Sequence, residues 1–212
     1  MIRVDVRRKA FGDEEILRDI RFDMEVGETI AILGASGIGK STLLRLIAGI
    51  DPVFKGEIVR PDKIAMVFQE PVLLPWRSVL ENLTLVHPDL GRQAAFSALE
   101  RTGIADKARA FPGQLSLGQQ RRLALARAFA GRPALLVMDE PYVSLDPTTA
   151  DEMLALTEAL IAETGPAVIL VTHSEVEARR LARRRLRLSG RPATITGDMV
   201  AGPPSVSREG AS

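Results

Sequence analysis

The sequence predicts an α/β domain. A parallel sheet is covered on both faces by helices, an antiparallel β portion lies before it, and a helical block is inserted within it. Three observations carry this prediction. A strand-length apolar run, Thr29-Ile-Ala-Ile-Leu33, leads through Gly34-Ala-Ser-Gly-Ile-Gly-Lys-Ser-Thr42 into the helical stretch Leu43-Leu-Arg-Leu-Ile-Ala48. Two further continuous apolar runs, 134–138 and 167–171, have the character of strands buried in a parallel sheet. A segment of different character, roughly 76–114, reads as mostly helical between them.

Taken in order, residues 2–6 and 17–26 read as strands, the second alternating in period two, with Gly27-Glu28 as the turn that follows. Residues 56–59 and 64–68 are short strands. Residues 79–85, 93–101 and 105–111 read as helices, broken at Pro88, Gly103 and Pro112-Gly113. The strand-and-helix core resumes with a helix over 119–130, ended by Gly131-Arg-Pro133. Residues 152–163 are a helix, and another begins at Ser174. Residues 185–188 and 193–196 read as a last, exposed β ribbon. Residues 201–212 have no periodicity and read as a disordered tail. The chain is one domain over 1–200: core at about 1–75 and 115–200, helical insert at about 76–114.

The glycine-rich loop names a ligand class. Gly34, Gly37 and Gly39 let backbone N–H groups turn inward around a polyphosphate, and the helix that follows adds its positive end. Lys40 supplies a point charge for the outer phosphates, and Ser41 offers a hydroxyl to Mg²⁺. The loop as a whole, with Ala35, Ser36, Ile38 and Thr42, is the candidate nucleotide cradle. A second element is Leu135-Leu-Val-Met-Asp139-Glu140, an apolar strand ending in two carboxylates. Asp139 is placed to hold Mg²⁺, and Glu140 to polarise an attacking water. A third is Leu115-Ser-Leu-Gly-Gln-Gln120, where Ser116 and Gly118 open a helix and form a second anion-binding feature. A chain with a complete phosphate loop and a second anion site suggests nucleotide shared between two copies.

Composition excludes several classes. The net charge of +1 points to no nucleic-acid partner, and the absence of cysteine excludes disulfides, thiolate metal sites and cysteine nucleophiles. The 46% apolar content is that of a chain able to bury a core. No apolar stretch reaches transmembrane length, and the N-terminal residues lack a signal-like apolar region. The expected place of action is the cytoplasm.

These motifs together resemble the ATP-binding subunit of ABC transporters, over residues 3–196. The family signature Leu-Ser-Gly-Gly-Gln appears at residues 115–119, with Leu117 where the family has glycine. The resemblance implies the ABC ATPase fold, ATP and Mg²⁺ as ligands, and ATP hydrolysis by two copies closed over two nucleotides. It makes Glu140, His173 and Gln69 catalytic, and Ser41, Gln69 and Asp139 the metal-binding residues. Ser116, Leu117, Gly118 and Gln119 then act on the opposite subunit's ATP, and Asp146 in Ser144-Leu145-Asp146 crosses the dimer interface. Phe11 is the aromatic that stacks on adenine; the competing reading from the sequence is an ordinary core aromatic. Leu117 costs transition-state contact if the family's glycine needs positive φ, and is tolerated if only its N–H is used.

The resemblance also implies partners: integral-membrane permease subunits, and a solute-binding protein in the full system. The chain would sit on the cytoplasmic face of the membrane, held there by the permease. The loop Pro71-Val-Leu-Leu-Pro-Trp76 is too apolar to be simply solvated, and reads as the rim of a groove for a permease helix or as packing on the chain's own insert. Leu73-Leu-Pro-Trp76 and Leu188-Ser-Gly-Arg-Pro192 are similar to importers of the nitrate, sulfonate and taurine group. A soluble or exporter-linked ATPase is the alternative. The basic run Arg179, Arg180, Arg183, Arg184, Arg185 and Arg187 reads as a solvated face pairing at i, i+4 with Glu175 and Glu177, or as a surface for anionic headgroups or a partner's acidic surface.

Overall fold

Residues 1–200 are described, in a computed structural model; the tail read over 201–212 lies outside the described residues. The chain runs β1 (Ile2–Phe11), β2 (Glu14–Met24), β3 (Thr29–Leu33), α1 (Lys40–Ala48), β4 (Lys55–Val59) and β5 (Ile64–Val67). It continues through α2 (Val79–Thr84), α3 (Arg92–Arg101), α4 (Leu117–Ala130), β6 (Leu135–Asp139), α5 (Pro147–Thr164), β7 (Ala167–Thr172), α6 (Glu175–Leu181), β8 (Arg184–Ser189) and β9 (Thr194–Val200).

The strands form two sheets. The first is antiparallel, in the order β2-β1-β4. Alternation builds it: Ile2, Val4 and Val6 of β1, and Leu17, Ile20, Phe22 and Met24 of β2, turn to one buried face. The hairpin reaches Phe11 and Glu14, well beyond the expected 2–6 and 17–26, because Lys9 turns inward to Asp51 and extends the buried face. The second sheet has the order β5-β6-β7-β3-β8-β9, parallel except for the β8–β9 pair. β3, β6 and β7 are buried at every position, which is why they read as continuous apolar runs.

α1 lies between the sheets. Its Leu43, Leu44, Leu46 and Ile47 join one core cluster with both. The opposite face of the parallel sheet is covered by α4 and α5 through Leu125, Phe129, Met153 and Leu160. A third cluster holds Val79, Leu83, Ala95 and Leu99 of α2 and α3 against Leu123, Ala126 and Ala130 of α4. α4 therefore faces the helical insert on one side and the sheet on the other.

Two expected elements differ. The helix over 105–111 is only a 3₁₀ turn at Ala105–Lys107, followed after Phe111 by a second at Pro112–Gln114. Pro112 cannot continue a helix, and the Gln114 side chain accepts from the Phe111 N–H instead. The exposed ribbon is not separate: β8 pairs parallel with β3 and buries Leu186 and Leu188. Its outward arginines hid that pattern. No helix among the described residues is long and apolar enough to cross a membrane.

Candidate functional site

Parallel strands deliver their C-terminal ends to one edge, and the site is built there. β3 ends in the 34–39 loop, β5 leads through Phe68 to Gln69, β6 ends in Asp139, and β7 leads to His173. The loop glycines have distinct jobs. Gly37 and Gly39 adopt φ of 73° and 107°. A Cβ on Gly39 would also meet Ile16 and Leu17 of β2 at 2.9 Å, so the antiparallel sheet abuts the loop. Gly39 starts α1 with no side-chain cap, which leaves the first N–H groups of the helix for an anion. Lys40 is 5% exposed. Its ammonium donates to the carbonyls of Gly34 at 2.9 Å and Ala35 at 3.0 Å, and lies 3.4 Å from Glu140 Oε1.

Ser41 Oγ donates to Asp139 Oδ1 at 3.1 Å. Burial raises the Asp139 pKa above its usual value, with the Ser41 hydroxyl opposing. Glu140 Oε2 is 3.2 Å from His173 Nδ1, so this carboxylate stands between Lys40 and His173. Glu140 holds φ of 44°, and its N–H donates to Val171 O at 2.9 Å. That backbone bond pins a strained turn and aims the side chain along the sheet edge. Lys40, Ser41, Asp139, Glu140 and His173 thus form one linked constellation.

Other expected residues stand apart from it. Gln69 is exposed, one strand over from Asp139, and its side chain makes no hydrogen bond among the described residues. Phe11 is 53% exposed at the end of β1, so it is no core aromatic. Lys9 Nζ sits 4.5 Å from its ring centroid, while ion-paired to Asp51 at 2.6 Å. Lys9 pairs across the hairpin with Leu17, the residue that packs on Gly39, which puts Phe11 near the phosphate loop.

The signature forms a separate cleft. Ser116 caps α4, accepting from the Gln119 N–H at 3.3 Å while its own N–H donates to Gln119 Oε1 at 3.0 Å. Leu117, Gly118, Ser144 and Asp146 line the same cleft, of about 380 Å³, and no phosphate-loop residue does. Asp146 caps α5 through Thr149 N–H at 3.0 Å, and the bonds from Thr149 hold its carboxyl below the usual range.

Among the buried polar side chains that sequence reasoning missed, Asn82 and Arg121 hold loops at the site. Asn82 is buried and bonds Leu74 N–H, Leu74 O, Arg77 O and Ser78 O, thereby shaping the loop that carries Trp76. In that loop Leu73 packs on the insert, but Val72 is exposed and Trp76 is 68% exposed. The other is Arg121 on α4, which bonds carbonyls of two loops. The basic run also pairs differently. Arg180 bonds Asp151 and Glu158 of α5, Arg187 bonds Glu175, and Arg184 bonds Asp198 across β8 and β9. The pairs are tertiary, not i, i+4.

Fold and constellation define a nucleotide triphosphatase of the phosphate-loop class. The family model described as ABC transporter matches residues 17–143. The chain belongs to the ABC transporter family. It is 47% identical over 178 residues to the "Aliphatic sulfonates import ATP-binding protein SsuB 2" of Frankia alni, covering 84% of this chain and 72% of that one. It is 46% identical over 200 residues to the protein of the same name from Nocardia farcinica, covering 92% and 82%. The fold is also that of the "Dimeric structure of a post-hydrolysis state of the ATP-binding cassette MJ0796 bound to ADP and Pi", with a TM-score of 0.82 at 29% identity, covering 96% of this chain and 100% of the other.

Proposed function

We propose that this chain is the ATP-hydrolysing subunit of an ABC importer, acting as a pair of copies against a membrane permease on the cytoplasmic face. One observation carries the reading: the signature cleft and the phosphate loop of one chain share no residue. A complete site then takes the loop from one copy and Ser116, Gly118 and Asp146 from the other. Lys40 and the N–H groups of α1 bind phosphate oxygens. Glu140 accepts a proton from the attacking water, and His173 holds that carboxylate in place. Gln69 lies on the loop next to β6, from which its carboxamide serves the metal or the water. The exposed face of Phe11, braced from beneath by Lys9, receives adenine.

The donor set fits Mg²⁺. Ser41 and Asp139 offer hard oxygens, and no cluster of three or more His, Cys, Asp or Glu among the described residues could cage a metal alone. Mg²⁺ takes few protein ligands where phosphates supply the rest. When bound, it neutralises charge on the outer phosphates.

The import names of the relatives support uptake over an exporter-linked or soluble ATPase, and support a sulfonate-type solute; a solute-binding protein in the full system follows from the family resemblance alone. Glu140→Gln tests the chemistry. The variant is expected to keep ATP affinity, lose turnover by about a hundredfold or more, and run as an ATP-trapped dimer in size exclusion. Parental turnover would remove Glu140 from the role of base.

A further inference from the structure

Arg121 is a buried charge with no carboxylate partner among the described residues. It is 4% exposed. One guanidinium nitrogen donates to Phe68 O at 3.2 Å and another to Val143 O at 3.2 Å, while Nε has no hydrogen-bond partner. Phe68 immediately precedes Gln69. Val143 immediately precedes Ser144, whose φ of 66° starts the turn into Asp146. Arg121 itself stands on α4, the helix that Ser116 caps.

A guanidinium is a rigid plane with donors at fixed spacing. Bonded by two of them to two loops, it sets the distance between those loops. Its hydrogen bonds go to carbonyls, and burial lowers its pKa, with the charge of Glu70 opposing. Withdrawal of either carbonyl would leave a desolvated cation more poorly satisfied, so the three segments resist separate movement. α4 also forms one wall of the helical insert and one layer on the parallel sheet. Any tilt of the insert therefore reaches Arg121 through the helix that bears it.

We propose that Arg121 is a positioning residue that makes the Gln69 loop and the 144–146 loop move as one body with the signature helix. Insert orientation then sets, in a single motion, a residue serving the chain's own nucleotide and a residue serving the partner's. The inference rests on the roles given above to Gln69 and Asp146.

A double-mutant cycle on the purified full chain tests it. Steady-state ATP hydrolysis, affinity for a fluorescent ATP analogue and melting temperature are measured for Arg121→Met, Arg121→Lys, Gln69→Ala, Asp146→Ala and the two Arg121→Met doubles. Arg121→Met is expected to lower kcat about tenfold with analogue affinity changed less than about twofold, the split expected of a group acting after binding. Each double is expected to turn over within about twofold of the matching single Gln69→Ala or Asp146→Ala variant, since residues in one unit are non-additive. Arg121→Lys, whose ammonium keeps the charge but lacks the fixed span of the guanidinium, should fall between Met and the parent. If the singles matter and the Arg121 effects simply multiply with theirs, the proposal is overturned while the site assignment stands. If neither single changes turnover, the assignment fails and the proposal falls with it. Should Arg121→Met not fold, Arg121→Gln takes its place in the cycle. Failure of both to fold would make Arg121 a packing element and overturn the proposal.

Discussion

Leu117 is the first residue of α4 and is absent from the residues with left-handed backbone, so nothing in its conformation calls for glycine. The neighbouring Gly118 is different: a Cβ there would stand 3.1 Å from Thr149 Cγ2 of α5. The steric demand in the signature therefore falls on residue 118. Leu117→Gly is expected to change turnover by less than about tenfold, under roughly 1.4 kcal/mol in the barrier. Phosphate-release kinetics checks it, and a gain of several orders of magnitude would mean that the leucine, 40% exposed, blocks the partner's nucleotide. At this scale the sequence is legible where chemistry is local. The 34–42 loop, Asp139 and Glu140 are recognised from a few contiguous residues, because strand, turn and helix N-terminus are consecutive in the chain. Arg121 and Asn82 were opaque for the converse reason. Their partners are backbone carbonyls, which every residue carries, and no residue type announces them.

Among the elements, α6 shows what periodicity leaves out. Its arginines read as a solvated stripe, yet Arg180 reaches across to α5 and the Glu177 carboxyl accepts the Thr172 hydroxyl at the end of β7. Tertiary neighbours decide those pairs, as they decide that β8 joins β3 despite its outward arginines. Burial raises the Glu177 pKa above its ordinary 4.5, opposed by the Thr172 hydroxyl. A carboxyl raised in the folded state lends stability that is complete below the unfolded value and is lost as pH rises through the folded one. The melting temperature of the parent minus that of Glu177→Gln should therefore be greatest below pH 4.5 and decline toward neutrality. Calorimetry across that range checks it; a difference that grows with pH would contradict the sign. Continuous apolar strands and long helices were readable in advance. The segment 105–111 was not, because one proline and one glutamine cap settle it as turns.

For the whole molecule, the exposed Val72 and Trp76 stand on a loop fixed from behind by Asn82, close in sequence to Gln69. Truncating a large aromatic anchor costs about 2 kcal/mol or more in binding. Trp76→Ala should weaken co-purification with the permease about thirtyfold while leaving ATP affinity and melting temperature near parental values, given its exposure. Full assembly of the variant would place the docking surface elsewhere. Sheet order carries a different consequence. β3, which bears the phosphate loop, pairs only with β7 and β8, two of the last strands in the chain. During synthesis this wholly buried strand emerges early, with helix α1 to cover one face and both hydrogen-bonding edges bare. Its neighbours leave the ribosome only after most of the chain has been made. The nascent chain thus carries a mostly apolar strand unpaired for much of its translation, when association with other unfinished chains competes with waiting. Nucleotide can rescue nothing in that interval, because the edge that binds it does not exist until β7 closes on β3.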